Sequence, residues 1–218
     1  MIYVMWSIWN SRNRLTHDQD RPDPTTSIRR IREDLSVLDV PRQQAMLLPG
    51  FGWRPPDSGV LKINTDGAID FGIGNGGAGG VVRSSSALVG AWSKPLLGVT
   101  DPLVAESLAV REGVIFAKLR GYQHVMVETD CLEIVNLWNF RSNSRSVVAP
   151  ILIEIGELAT SFSSFVIQHV NRAANHPAHL CARRACSLQV TDSWFAAAPC
   201  FLVTSLLALM ILGLFFVE

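Results

Sequence analysis

The chain has 218 residues, with 19 Lys and Arg balanced by 19 Asp and Glu, enough for one domain of ordinary size plus flanking segments. The zero net charge excludes an overall basic field, so a nucleic-acid partner would have to meet a local groove. The four cysteines form no C-x-x-C pair, and the N-terminus lacks a basic start and a small-residue cleavage site. Free thiols in a reducing compartment and no signal peptide are therefore expected.

In chain order, residues 1–17 read as a short Trp-rich helix, followed by the polar linker "HDQDRPDPTT". Thr26 or Ser27 is placed to cap a helix through "IRRIREDLSVL" that stops before Pro41. Residues 1–52 are thus expected to be a helical and linker segment, and the domain to begin at Trp53. "VLKINTD" alternates Leu61, Ile63 and Thr65 against Lys62, Asn64 and Asp66, which is strand periodicity. "FGIGNGGAGG" reads as a glycine-rich turn, and "GGVVRSS" and "ALVGAWSKPL" as two further strands of a meander. A long helix is predicted from Leu103 to Arg120, ended by Gly121. Then come a strand in "HVMVETD", helices in "CLEIVNLWN" and "VVAPILIEIGELATSF", a strand in "FVIQHV" and a last helix in "HPAHLCARRACS". This order, β-β-β-α-β-α-α-β-α, predicts an α/β domain over residues 53–188, with an antiparallel hairpin side and a parallel side.

Residues 189–218 form an apolar tail. The stretch Ala196 to Val217 carries no charge, and a membrane-spanning helix needs ~20 mostly apolar residues. With Arg183 and Arg184 upstream, insertion would keep the domain cytosolic, as in a tail-anchored protein. A terminal helix packed on the domain, or an aberrant tail from a degraded gene copy, are the alternatives.

Three acids stand where they could meet. Asp66 ends an alternating run. Glu106 shares a helix flank with Val110, Gly113 and Ala117, whereas Glu112 falls on the other side. Asp130 follows a strand just before a helix, where ligands collect in open α/β sheets. Converged carboxylates repel one another, so such a cluster normally holds hard cations such as Mg²⁺. Each acid also has an ordinary reading: Asp66 as a turn residue, Glu106 in the first helical turn, Asp130 as an N-cap. The loop "GIGNGGAGG" lacks the Gly-Lys-Ser/Thr ending of a P-loop. Its glycines would let the backbone amides of Asn75, Gly76 and Gly77 approach a nucleic-acid backbone, or would serve an ordinary strand turn.

"INTDGA", "GNGGAGGVVR", "LVAESLAVREGVIFAKLRGY", "HVMVETDCLEIV" and "HVNRAANHPAHLCARRA" together resemble the type 1 ribonuclease H fold. More closely, they are similar to the reverse-transcriptase-like RNase H domains of plant genomes, descended from non-LTR retrotransposons. The resemblance covers about residues 53–188, and "MWSIWNSRNRL" resembles the segment that precedes the domain in those elements. It implies an RNase H-like mixed sheet of five strands, three antiparallel and two parallel, flanked by helices. It also implies a monomeric, intracellular protein of nucleus or cytoplasm, hydrolysing the RNA strand of RNA–DNA hybrids with two Mg²⁺ ions. Asp66, Glu106 and Asp130 are the implied metal ligands and catalytic residues. The fourth ligand position falls on His179, where the catalytic enzymes have Asp. Gly67 and Asn175 join Asn75, Gly76 and Gly77 as implied nucleic-acid contacts.

A histidine in place of the fourth carboxylate removes one negative charge, and imidazole suits Mn²⁺ better than Mg²⁺. Slow or Mn²⁺-dependent cleavage is expected, with a catalytically silent binding module or a membrane-tethered retroelement remnant as the alternatives. His169 sits near a family histidine that assists product release, but reads as a plain strand-end residue. His176, His179 and Cys186 share a helix face without a further ligand pair, so no structural zinc is expected. For hybrid binding, "NFRSNSRSVV" offers only Arg141 and Arg145, which predicts weak, salt-sensitive contact with phosphates.

Overall fold

The computed structural model describes residues 53–140, 145–195 and 197–206. The helices expected within residues 1–52, Arg141, and the tail beyond residue 206 lie outside the described residues. Strand β1 (Leu61–Asp70) pairs antiparallel with β2 (Asn75–Arg83), which pairs antiparallel with β3 (Leu88–Leu96). On its other side β1 pairs parallel with β4 (His124–Thr129), and β4 with β5 (Ser164–His169).

Helix α1 (Pro102–Leu119) starts where the sequence stops extending. Pro102 supplies a preset φ at the first turn, and the Asp101 carboxylate accepts from the Leu103 and Val104 amides at 2.8 and 3.1 Å. Helices α2 (Leu132–Asn139) and α3 (Ala149–Ala159) follow on the same face of the sheet. There Val110, Val114, Ile134, Leu152 and Ile155 bury against Ile63, Val82, Val125, Val127 and Ile167. This continuous apolar layer is the main source of stability. Helix α4 (Arg172–Leu188) covers β1, β2 and β3 on the opposite face, where Trp53 also packs, and is capped at its start by the Asn171 side chain on the Ala173 amide at 2.8 Å.

The sheet order is β5-β4-β1-β2-β3-β6, so the sheet has six strands rather than five. The extra strand, β6 (Asp192–Phe195), pairs antiparallel with β3. Four residues are too few for periodicity to register, and what places them is the otherwise open edge of β3. The domain therefore runs past residue 188, held there by Arg184 on Asp192 at 3.1 Å. Beyond it, residues 200–206 are helical, with Leu202 and Leu206 buried and Phe201 edge-on to Trp194. Among the described residues, no helix is long and apolar enough to cross a membrane.

The glycine-rich run also differs from its reading as a turn. Only residues 71–74 turn, and Asn75 to Gly80 lie within β2. A Cβ on Gly79 would lie 2.6 Å from the Cys181 Cβ and inside the backbone of Ala182. Gly77 and Gly79, whose Cβ positions α4 fills, let that helix lie directly on the sheet.

Candidate active site

Asp66 lies in the middle of β1, paired with Gly79 rather than in a turn. Its side chain is on the α4 face, and it is only 3% exposed. Glu106 sits past the first turn of α1, which contains no acid, so dipole stabilisation does not explain it. Gly67 brings the two together. A Cβ there would lie 2.5 Å from the Glu106 nitrogen and 2.6 Å from the Ala105 carbonyl carbon, so only glycine lets β1 touch the start of α1. Asp130 follows β4, and the N-cap of α2 is Cys131, not Asp130. None of the three ordinary readings survives. Asp66, Glu106 and Asp130 each bring a carboxylate oxygen within 4.8 Å of the others.

The electrostatics follow from that convergence. Burial is the largest cause pushing the Glu106 carboxyl up, to about 9, with the nearby Asp66 and Asp130 charges adding to it. Burial likewise raises Asp66, against the lowering effect of His179. Glu106 Oε2 is buried with no hydrogen-bond partner. A buried polar atom left unpaired costs about 1–3 kcal/mol, and a hard cation is the partner that an all-oxygen cluster of this kind suits. The residues present thus fit a divalent ion.

The raised carboxyl gives a testable sign. Without a cation, Glu106 keeps its proton far above the pH at which the unfolded chain releases it. Its stabilising contribution is full at low pH and is lost as pH rises toward about 9. A bound cation displaces that proton. Titration calorimetry with Mg²⁺ in two buffers of different ionisation enthalpy is expected to show release of close to one proton at pH 7, and tighter binding as pH rises. Identical heats in both buffers would show that Glu106 is already ionised.

His179 stands beside the cluster. Its Nδ1 is 3.0 Å from Asp66 Oδ2, and the imidazole is a partner of one carboxylate, outside the group of three. Of the implied nucleic-acid contacts, Asn175 is fully buried. Its amide nitrogen donates to Asp130 Oδ1 and to the Thr65 carbonyl, both at 2.9 Å, and its oxygen accepts from Asn64 Nδ2 at 3.2 Å. Asn175 is thus a support of the acidic cluster and has no edge left for a nucleic acid. The Cβ position of Gly67 faces α1, and that of Gly77 is filled by Ala182 and Cys186. Gly76 is buried as well, while Asn75 is half-buried and accepts from the Gly98 amide at 2.8 Å. Among the described residues no metal-holding group includes His176 or Cys186, and the Cys186 thiol donates to the Asn75 carbonyl.

Two features escaped the sequence reading. One is the buried network behind Asn175. Glu128 accepts from Asn64 at 2.9 Å, Lys62 at 2.8 Å and Gln168 at 3.0 Å, while Arg83 donates to Asn64 at 2.6 Å. The alternation of "LKIN" marked Lys62 and Asn64 as one face, but nothing in it indicated that this face is covered. The other is Arg172, whose charge helps lower the Glu106 carboxyl.

Residues 64–185 match the family described as reverse transcriptase-like. Among solved structures, the chain is similar to ribonuclease H1 from Halobacterium salinarum, with a TM-score of 0.54 and 22% identity over 58% of this chain and 96% of that one. It is also similar to the N-terminal RNase H domain of a Mycobacterium tuberculosis protein, solved as a fusion with maltose binding protein (0.53, 23%, 58% and 93%). A third is LC11 ribonuclease H1, isolated from compost and solved in complex with an RNA/DNA hybrid (0.52, 20%, 57% and 94%). At such identities the likeness is one of fold. No curated protein matches the chain.

Proposed function

Because the chain belongs to the reverse transcriptase-like family and has a ribonuclease H fold, we propose that it binds nucleic acid and cleaves the RNA strand of RNA–DNA hybrids endonucleolytically. The observation that carries this reading is the convergence of Asp66, Glu106 and Asp130 around the unpartnered Glu106 Oε2. These residues would hold Mg²⁺, two ions in the loaded site, with Mn²⁺ an alternative and His179 at the fourth position. Bound cations of this kind supply an activated water and charge stabilisation for the leaving oxygen. The chain supplies the rest. Asn175 fixes the Asp130 carboxylate, Gly67 sets the approach of Glu106, and the buried Asp66 keeps its own ligand oxygens away from bulk water. Recognition of the hybrid would rest on 2′-hydroxyls and groove shape rather than base sequence.

The test is cleavage of a labelled RNA–DNA hybrid by the full chain in Mg²⁺ and in Mn²⁺. Asp66→Asn is expected to reduce the rate by at least 10²-fold, because it removes an acid from the centre of the cluster. Cleavage that survives Asp66→Asn would come from a contaminant or another site, and the proposal would fall.

A second reading, a silent binding module, is favoured by one observation: His179 engages Asp66 where a fourth carboxylate would otherwise add charge. A tail anchor over residues 196–217 remains a proposal, set against the burial of Leu202 and Leu206 within that stretch. Membrane fractionation with and without residues 196–218 tests it, and a full-length chain that stays soluble without detergent rules it out.

A further inference from the structure

Resting on that reading, we infer that the outer face of α4 is the track that grips the substrate's phosphodiester backbone, with Arg172 and Arg183 as its cations. The sequence pattern sets the geometry. Positions 172, 176, 179 and 183 are spaced by four, three and four residues, which keeps Arg172, His176, His179 and Arg183 on one stripe of a 3.6-residue helix. The opposite face, with Ala174, Ala178, Cys181, Ala182 and Ala185, is buried on the sheet. The stripe therefore faces outward, and Arg172, His176 and Arg183 are exposed.

The stripe also starts at the right place. His179 is 3.0 Å from Asp66, and Arg172 acts electrostatically on Glu106. The His176 and His179 rings stack with centroids 6.2 Å apart, a flat polar shelf between the two arginines. Both arginines influence His176, so their charges flank it. Among the described residues neither arginine has a carboxylate partner, whereas Arg111 on α1 and Arg184, beside Arg183 on α4, are ion-paired. Two unpaired guanidiniums leading away from three converged carboxylates suit a polyanion whose scissile bond lies on the acids. In a chain of zero net charge, this local arrangement supplies what the composition does not.

The experiment is hybrid binding by the full chain in EDTA, measured by anisotropy from 25 to 200 mM salt. The wild type is compared with Arg172→Ala/Arg183→Ala, and with Lys118→Ala, an exposed cation at the far end of α1. The double variant is expected to lose roughly tenfold or more in affinity and about two from the log–log salt slope, since each phosphate contact contributes roughly 0.9. Lys118→Ala is expected to change neither. All four side chains of the stripe lie outside the core, and an unchanged thermal midpoint will confirm that the variant is folded. Wild-type affinity and slope in the double variant would overturn the track while leaving the cleavage proposal standing. An equal loss in Lys118→Ala would mean a general charge effect, and would also overturn it. A wild type that binds no nucleic acid of any kind would overturn both.

Discussion

Replacing Glu128 with alanine is expected to destabilise the domain by about 3–5 kcal/mol, the usual cost of breaking a buried ion pair from one side. The Glu128 carboxylate is 3% exposed and is the acid facing two buried cations, Lys62 and Arg83, each 5% exposed. Lys62 bonds it at 2.8 Å, and Arg83 reaches it through Asn64. Burial lowers Arg83 to about 9, with the charge of Glu128 as the opposing influence, so removing Glu128 leaves a guanidinium that neither water nor an anion stabilises. Trp53, whose ring lies 3.7 Å from the Arg83 guanidinium carbon, offsets only part of this. Against a total stability of about 5–15 kcal/mol, the loss is large and is read directly by urea unfolding. Glu128→Gln keeps the shape and some hydrogen bonds, and is expected to cost less. If Glu128→Ala unfolds at the wild-type midpoint, water has entered the network and the burial argument fails.

His179→Asp, on α4, is expected to act chiefly on cation binding rather than on folding. It places a fourth carboxylate beside Asp66, Glu106 and Asp130 and removes the imidazole that now bonds Asp66 at 3.0 Å. Without a cation, added repulsion should lower the thermal midpoint. With one, the extra charge should strengthen divalent binding on the order of tenfold, equivalent to about 1.4 kcal/mol. The midpoint with and without Mg²⁺ measures both effects at once. Hybrid cleavage in Mg²⁺ is expected to rise with it. A silent wild type beside an active His179→Asp would mean an intact scaffold limited at one position. An unchanged Mg²⁺ response would show that position 179 does not face the cation.

The three acids were legible because a local pattern singled each one out: the end of an alternating run for Asp66, an inward helix flank for Glu106, a strand exit for Asp130. Their meeting was not legible from any one of those segments. It requires Gly67 to carry no side chain where α1 begins, a contact between residues about 40 apart. The surroundings of Gly77 and Asn175 were not legible for a related reason. Glycine and asparagine look the same in a sequence whether they face a ligand or a helix, and here both face protein. β6 was missed because a four-residue strand is defined by the edge it completes.

What the sequence determined by itself was local: the alternation of β1, the apolar flank of α1, the order of strands and helices, and through that order the parallel and antiparallel halves of the sheet. These follow from backbone period and from which side chains water excludes. The tertiary structure alone decided which polar residues are buried and what they hold. Nothing local in the sequence marks Lys62, Asn64 and Glu128 as buried; that is decided by the packing of α4 and Trp53 over the sheet, with Asn175 of α4 bonding Asn64 and pinning Asp130. Pairing of buried polar groups depends on distances between remote segments, and no local period encodes those distances.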